Sequence, residues 1–285
     1  MSPRHNQLSL IDQTPEVPVS VGGASIEARS AASILTKASG FMADYDFTLN
    51  PYEGCSYGCS YCYAAFFARN RRASAEWGSW VTVKENALER LRSVRRDLRG
   101  TRIYVGSVTD PYQPVERRLG LVRQLLIELA ARGARVVLQT RGPDVTRDID
   151  VFQRFEHVRV NMTVTTDSHD VLRTFEPGCP STDHRLRAIG RVAAAGVPTS
   201  ITLTPLLPLA DAGSFADRLL ATGVTRFVVQ PFHHGGGRFV AGTRPAALKL
   251  IEQYRWDDDA YRDAVKVLRA RLPEVIEGRA GFAPD

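Results

Sequence analysis

Asn50-Pro51-Tyr52-Glu53-Gly54-Cys55-Ser56-Tyr57-Gly58-Cys59-Ser60-Tyr61-Cys62-Tyr63 places three of the chain's four cysteines inside eight residues, spaced C-x3-C-x2-C. A disulfide framework does not use such a cluster, whereas a metal or iron–sulfur site in a reducing compartment does. Cubane iron–sulfur clusters are held by cysteine thiolates, and an electron-transfer cluster takes four of them. Three thiolates leave one iron open to a small molecule, and Gly54 and Gly58 let the loop fold tightly around a cluster. A structural zinc site is the rival, but it needs four ligands in a closed tetrahedron and usually pairs two CxxC-like hooks. No second hook exists, since Cys179 stands alone and the nearest histidine beyond the motif is His157.

Outward from this loop, short β-branched or apolar runs alternate with longer amphipathic segments. The runs cover residues 45–49, 102–106, 134–138, 158–164, 199–203 and 226–229. Six strand candidates separated by helices predict a parallel sheet. Helices are expected over 84–98, over 119–131 ended by Gly133, over 144–155, over 181–195 with Ser181 as cap and Gly196 as stop, over 214–221, and within 244–271. Such β-α units build either an open doubly wound sheet or a curved barrel, and in both the chemistry gathers at the carboxyl ends of the strands. Residues 1–33, polar with Pro15, Pro18 and a Gly22-Gly23 pair, are expected as an N-terminal arm. Residues 34–243 are expected as the core and 244–285 as a C-terminal helical segment packed on it.

At 285 residues, with 44% hydrophobic and 24% charged side chains, the chain fits one folded core and excludes a disordered or fibrous protein. No run reaches the roughly 18 uninterrupted apolar residues of a membrane span. Residues 1–13 lack the pattern of a signal peptide. A cytoplasmic protein with no membrane partner is expected. The 37 Lys+Arg against 31 Asp+Glu leave a formal charge of +6, which suits an anionic partner such as a nucleic acid. The densest basic runs, 69–72 and 90–99, lie near Glu85, Glu89 and Asp97, and a solvated helix face explains them as well. Trp77 and Trp80, at i and i+3, fit either a helix sealed against a core or a base-stacking surface.

With Tyr61 before the third cysteine, the motif C-x3-C-x-aromatic-C after a first strand resembles the signature of the radical S-adenosylmethionine superfamily. The text from Ile34-Leu35-Thr36-Lys37 through Tyr45-Asp46-Phe47-Thr48-Leu49-Asn50-Pro51-Tyr52 to Cys62-Tyr63 is similar to its spore photoproduct lyase branch. The likeness extends to Phe232. This resemblance implies a partial (β/α)6 TIM-like barrel and a [4Fe-4S] cluster on Cys55, Cys59 and Cys62. It implies S-adenosyl-L-methionine (SAM) chelated to the unique iron and cleaved reductively to a 5′-deoxyadenosyl radical, which abstracts a hydrogen atom from the substrate. The cofactor carries the radical step, and the protein supplies position, dryness and electrostatics. The implied partners are an external one-electron donor such as flavodoxin or ferredoxin and a small-molecule or nucleic-acid substrate. A nucleic-acid lesion repair lyase and a non-catalytic cluster- or nucleic-acid-binding protein are the alternative readings.

Tyr61 enters the cofactor-binding set through the same motif. The segment Val105-Gly106-Ser107-Val108-Thr109-Asp110-Pro111-Tyr112-Gln113-Pro114 resembles the family's Ser-x-Thr-Asp-Pro-Tyr-Gln-Pro block and marks Ser107 and Thr109 as hydrogen-bonding candidates for the cofactor's amino-acid end. Turn chemistry alone reads the same residues as a proline-stiffened loop with Asp110 as its turn residue. Arg141 stands where relatives show Thr-Lys and is expected to take the cofactor carboxylate through two parallel hydrogen bonds; a solvated arginine is the bland alternative. In 161–166 the hydroxyls of Thr163 and Thr165 share one face, assigned to the barrel interior and the cofactor's ribose or methionyl part, although threonine β-propensity explains the same pattern. Spore photoproduct lyase keeps a hydrogen-donor cysteine just after the serine of the second strand, where this chain has Val108. Cys179 is the substitute donor candidate, or a small hydrophobe. His233-His234-Gly235-Gly236-Gly237-Arg238 offers ligands, a lid or an anion-binding nest.

Overall fold

The computed structural model describes residues 16–69, 71–233 and 243–284. These residues hold twelve strands. In chain order they are β1 (Ser20–Val21), β2 (Ala24–Arg29), β3 (Leu35–Lys37), β4 (Phe47–Leu49), β5 (Tyr52–Gly54), β6 (Trp80–Lys84), β7 (Arg102–Val105), β8 (Arg135–Thr140), β9 (Val158–Thr163), β10 (Thr199–Leu203), β11 (Arg226–Val229) and β12 (Glu274–Glu277). Eight form one sheet in the order β12-β11-β10-β9-β8-β7-β4-β3. Every neighbouring pair from β4 to β12 is parallel, and β3 adds an antiparallel edge. Spatial order follows chain order throughout, so each βα unit lays its strand beside the last and the wall curls in one direction. A doubly wound sheet would instead reverse its order at a switch point. The result is a partial barrel, with β3 and β12 as its two edges.

All six expected strands are present, each within two residues of its expected limits. Helices Leu121–Ala131, Thr182–Ala194, Ala212–Leu220 and Asp258–Arg271 pack on the sheet through buried stripes that include Leu125, Leu129, Ile189, Val192, Phe215, Leu219 and Leu268. Burying each such side chain contributes about 1.5–3 kcal/mol. Ser181 caps its helix as expected, accepting from the His184 amide. Among the described residues no helix is long and apolar enough to cross a membrane.

Several elements differ from expectation. The helix expected over 144–155 is a 3-10 helix over Pro143–Asp148 followed by one short α-helix, Ile149–Phe152. The arm contains β2, in which Ala24 and Ile26 point inward on alternate positions and pair the strand in parallel with β6, Ser25 opposite Trp80. β6, Trp-Val-Thr-Val-Lys, forms where a β-branched run favours a strand and takes Lys84 from the helix expected over 84–98, which is itself shorter than expected at Ala87–Arg92. Trp80 therefore sits on a strand rather than a helix. The C-terminal segment 244–285 holds helices Pro245–Gln253 and Asp258–Arg271, and it also adds β12 beside β11. Beyond β12 the chain turns under the barrel. The Tyr45 hydroxyl donates to the Phe282 carbonyl at 2.5 Å, and Arg159, buried within β9, donates to the Ala283 carbonyl at 2.6 Å.

Candidate active site

The three cysteines follow β4 and β5 on a loop whose backbone is compressed from two sides. Gly58 and Gly78 meet face to face: Gly78 has φ +107°, and a Cβ there would lie 2.8 Å from the Gly58 Cα. From the other side Gly178 presses on the loop, where a Cβ would lie 2.6 Å from the Ser56 carbonyl oxygen. Cys55 and Cys59 are buried and Cys62 is half-buried. Around them pack Tyr61, Trp77, Phe175, Leu207 and Phe232, an apolar shell that excludes water. Burial pushes the Cys55 thiol up, and Cys62 up to about 11. Cys55 and Cys62 are therefore thiols at neutral pH until a metal displaces their protons, whereas the hydrogen bond with Cys179 holds the Cys59 thiol below its ordinary value.

The block after β7 clamps this loop. Thr109 donates to the Gly54 carbonyl at 2.5 Å, and the Gln113 amide accepts from Ser56 N at 2.9 Å while donating to Thr109 Oγ1 at 3.1 Å. The Tyr57 hydroxyl donates to the Tyr112 carbonyl at 2.8 Å. Asp110 is more than a turn residue. Its buried carboxylate accepts from Tyr112 N at 2.9 Å, Thr140 Oγ1 at 2.6 Å and Arg141 N at 2.6 Å, joining the end of β7 to the end of β8. Ser107 pairs with the Asn50 side chain at 3.0 Å, and Asn50 also accepts from Val108 N at 3.1 Å.

Arg141 lies against the cluster loop. Its Nη2 donates to the Tyr61 hydroxyl at 3.1 Å, with the guanidinium carbon 5.9 Å from the Tyr61 ring centroid. Glu176 sits beneath it, accepting from Tyr61, from Thr165 at 2.9 Å and from fully buried Arg185 at 2.5 Å. Arg185 is held in turn on the carbonyls of Pro180 at 2.9 Å and Thr163 at 3.2 Å. Burial would raise the Glu176 carboxyl, but Arg185, Arg141 and the Tyr61 hydroxyl hold it down to about 2. Arg141 Nε is buried, stands 3.7 Å from Glu176 and has no hydrogen-bond partner. A charged donor is thus left over beside the cysteines, suited to an acceptor such as a carboxylate.

Inside the barrel Thr163 belongs to a polar layer. Gln139 accepts from the Tyr104 hydroxyl at 2.9 Å and donates to Thr163 at 2.6 Å and Thr202 at 2.8 Å; the two threonine hydroxyls are 3.0 Å apart. Thr165 faces Glu176. The Cys179 sulfur lies 3.6 Å from that of Cys59. Trp77 and Trp80 pack edge to face at 6.0 Å, with Trp80 Nε1 bonded to the Ala73 carbonyl. Arg69 and Arg72 pair with Glu27 and Glu76, as a solvated basic face does. Of the His233–Arg238 run, only His233 lies within the described residues.

Tyr61 and Arg141 are thus brought together with the three cysteines, Thr109 braces their loop, and Thr163 stands apart in the barrel interior. Sequence reasoning missed Glu176 and Arg185. Arg185 falls on the buried stripe of its helix with Thr182, Ala188, Ile189 and Val192, and an arginine on an apolar stripe signals a buried acidic partner.

The donor set suits a cubane better than a single ion. Among the described residues no group of three or more His, Cys, Asp or Glu side chains converges as one metal ion requires, whereas a cubane places each thiolate on its own iron. A thiol loop at the carboxyl edge of a parallel partial barrel, beside a buried arginine whose Nε has no hydrogen-bond partner, points to the cluster-and-SAM class of barrel proteins. The chain belongs to the radical SAM superfamily, whose family model matches residues 49–217. An uncharacterised protein of Methanocaldococcus jannaschii is 32% identical over 162 residues, covering 57% of this chain and 61% of the relative. One from Mycobacterium tuberculosis is 30% identical over 226 residues, covering 74% of this chain and 66% of the relative. The chain therefore spans just under two thirds of these relatives' lengths. Among solved structures, a spore photoproduct lyase mutant aligns with TM-score 0.63 at 15% identity over 93% of this chain and 87% of that one. This likeness is one of fold.

Proposed function

We propose that the chain is a radical SAM enzyme that binds a [4Fe-4S] cluster on Cys55, Cys59 and Cys62 and holds SAM beside it. When bound, these groups supply reductive cleavage to a 5′-deoxyadenosyl radical that abstracts a hydrogen atom from the substrate. The observation that carries the reading is the unpaired, buried Nε of Arg141 next to a three-thiol loop. Arg141 takes the cofactor carboxylate, oriented by Tyr61 and kept charged by Glu176. Ser107 and Thr109 flank the amino-acid end, Thr109 chiefly by fixing the loop through the Gly54 carbonyl. Thr163 presents a hydroxyl toward the ribose or methionyl part from the barrel's polar layer. The apolar shell of Phe175, Leu207 and Phe232 keeps water from the reacting groups. An external one-electron donor such as flavodoxin or ferredoxin supplies the electron. The substrate is a small molecule or a nucleic acid. Val108 offers no S–H, so the route to product differs from one that returns hydrogen from a cysteine at that place.

Anaerobic reconstitution with iron and sulfide, followed by reduction in the presence of SAM, tests this. 5′-Deoxyadenosine or methionine is expected from the wild-type chain and neither from Arg141→Ala at limiting SAM. A fully loaded, reduced cluster that yields neither product contradicts an enzymatic role.

A further inference from the structure

The proposed cluster needs three thiolates, yet a fourth cysteine touches one of them. The Cys179 sulfur stands 3.6 Å from the Cys59 sulfur, within sulfur hydrogen-bond range and far outside the roughly 2.05 Å of a disulfide. Backbone contacts put it there. Gly178 N donates to the Tyr57 carbonyl at 3.2 Å, Ser60 N to the Phe175 carbonyl at 2.8 Å, and Cys179 N to the Glu176 carbonyl at 3.0 Å. Arg185 locks the same turn from behind, through the Glu176 carboxylate at 2.5 Å and the Pro180 carbonyl at 2.9 Å. The loop that carries Cys59 and the turn that carries Cys179 are therefore tied to one another.

We propose that Cys179 is a positioning residue for the cluster, its S–H donating to the Cys59 thiolate and raising the cluster's reduction potential. This rests on the reading that Cys59 holds iron. A sulfur bound to iron has lost its proton, so of the two only Cys179 has a hydrogen to give. The reduced cluster carries one more negative charge, part of it on the thiolate sulfurs, so a donor to sulfur favours the reduced state. This role differs from hydrogen-atom donation to a substrate radical, because the S–H is engaged with the cluster ligand.

The test is an anaerobic spectropotentiometric titration of the reconstituted full chain, its Cys179→Ser and its Cys179→Ala variants, each with iron and sulfide counted. All three are expected to hold a full cluster, with the potential of Cys179→Ala shifted negative and that of Cys179→Ser close to wild type, since a hydroxyl still donates. An unshifted potential in Cys179→Ala overturns the proposal. Loss of the cluster from both variants overturns it as well and makes Cys179 a ligand or a fold element. Failure of the wild-type chain to take up a cluster removes the parent reading along with it.

Discussion

Glu176 shows how much one buried side chain carries here. Its carboxyl, ordinarily near 4.5, is held down to about 2. A depressed carboxyl gives stability that is complete above about pH 4.5 and lost as the pH falls through about 2. Integrated over that window it amounts to about 3 kcal/mol. Urea midpoints measured across the window should fall steeply for the wild-type chain and flatten in Glu176→Gln. That variant is expected to lose about 3–5 kcal/mol at neutral pH, because Arg185 is left buried without its counter-charge. A midpoint unchanged at neutral pH would contradict the network. At this scale the three cysteines and Tyr61 were legible because their spacing is local. Glu176 was not, because its partner lies nine residues on and its meaning comes from a burial that only the folded helix produces.

The element that matters most is the turn after β7, which braces the cysteine loop through Thr109 and Gln113. Gln113→Ala leaves the Ser56 amide without its acceptor and should cost about 1–3 kcal/mol. Reconstituted Gln113→Ala protein should also release its iron faster than wild type to a chelator; equal release rates would show that the clamp is incidental. Gly78→Ala brings a Cβ 2.8 Å from the Gly58 Cα at φ +107°, whereas Gly22→Ala, at φ +58°, meets nothing within 4 Å. Gly78→Ala should lower the thermal midpoint by more than Gly22→Ala does, the first costing about 1–3 kcal/mol and the second about 1–2 kcal/mol. Equal losses would mean the two loops are not in contact. The six barrel strands could be read from β-branched runs of ordinary length. β2 was missed because two inward positions among polar neighbours are a weak period-two signal, and β6 because Trp77 and Trp80, at i and i+3, read as one face of a helix.

For the whole molecule, the sequence left an open sheet and a barrel equally possible on its residues alone, and the pairing order decided between them. The C-terminal turn completes the design by covering the end of the barrel opposite the cysteines. A Cβ on Gly281 would lie 2.3 Å from Val228 Cγ1. Gly281→Val should therefore overpack that end at about 1–3 kcal/mol, seen as a lower denaturant midpoint with unchanged cluster uptake. Loss of uptake at unchanged stability would instead couple that end to the site. The central claim is that three cysteines hold a cubane with one iron left for a ligand. Mössbauer spectra of protein loaded with isotopically enriched iron, taken with and without SAM, test it directly. One iron in four is expected to change its signal when SAM is added, while the other three stay as they were. Four irons that all ignore SAM would contradict the account.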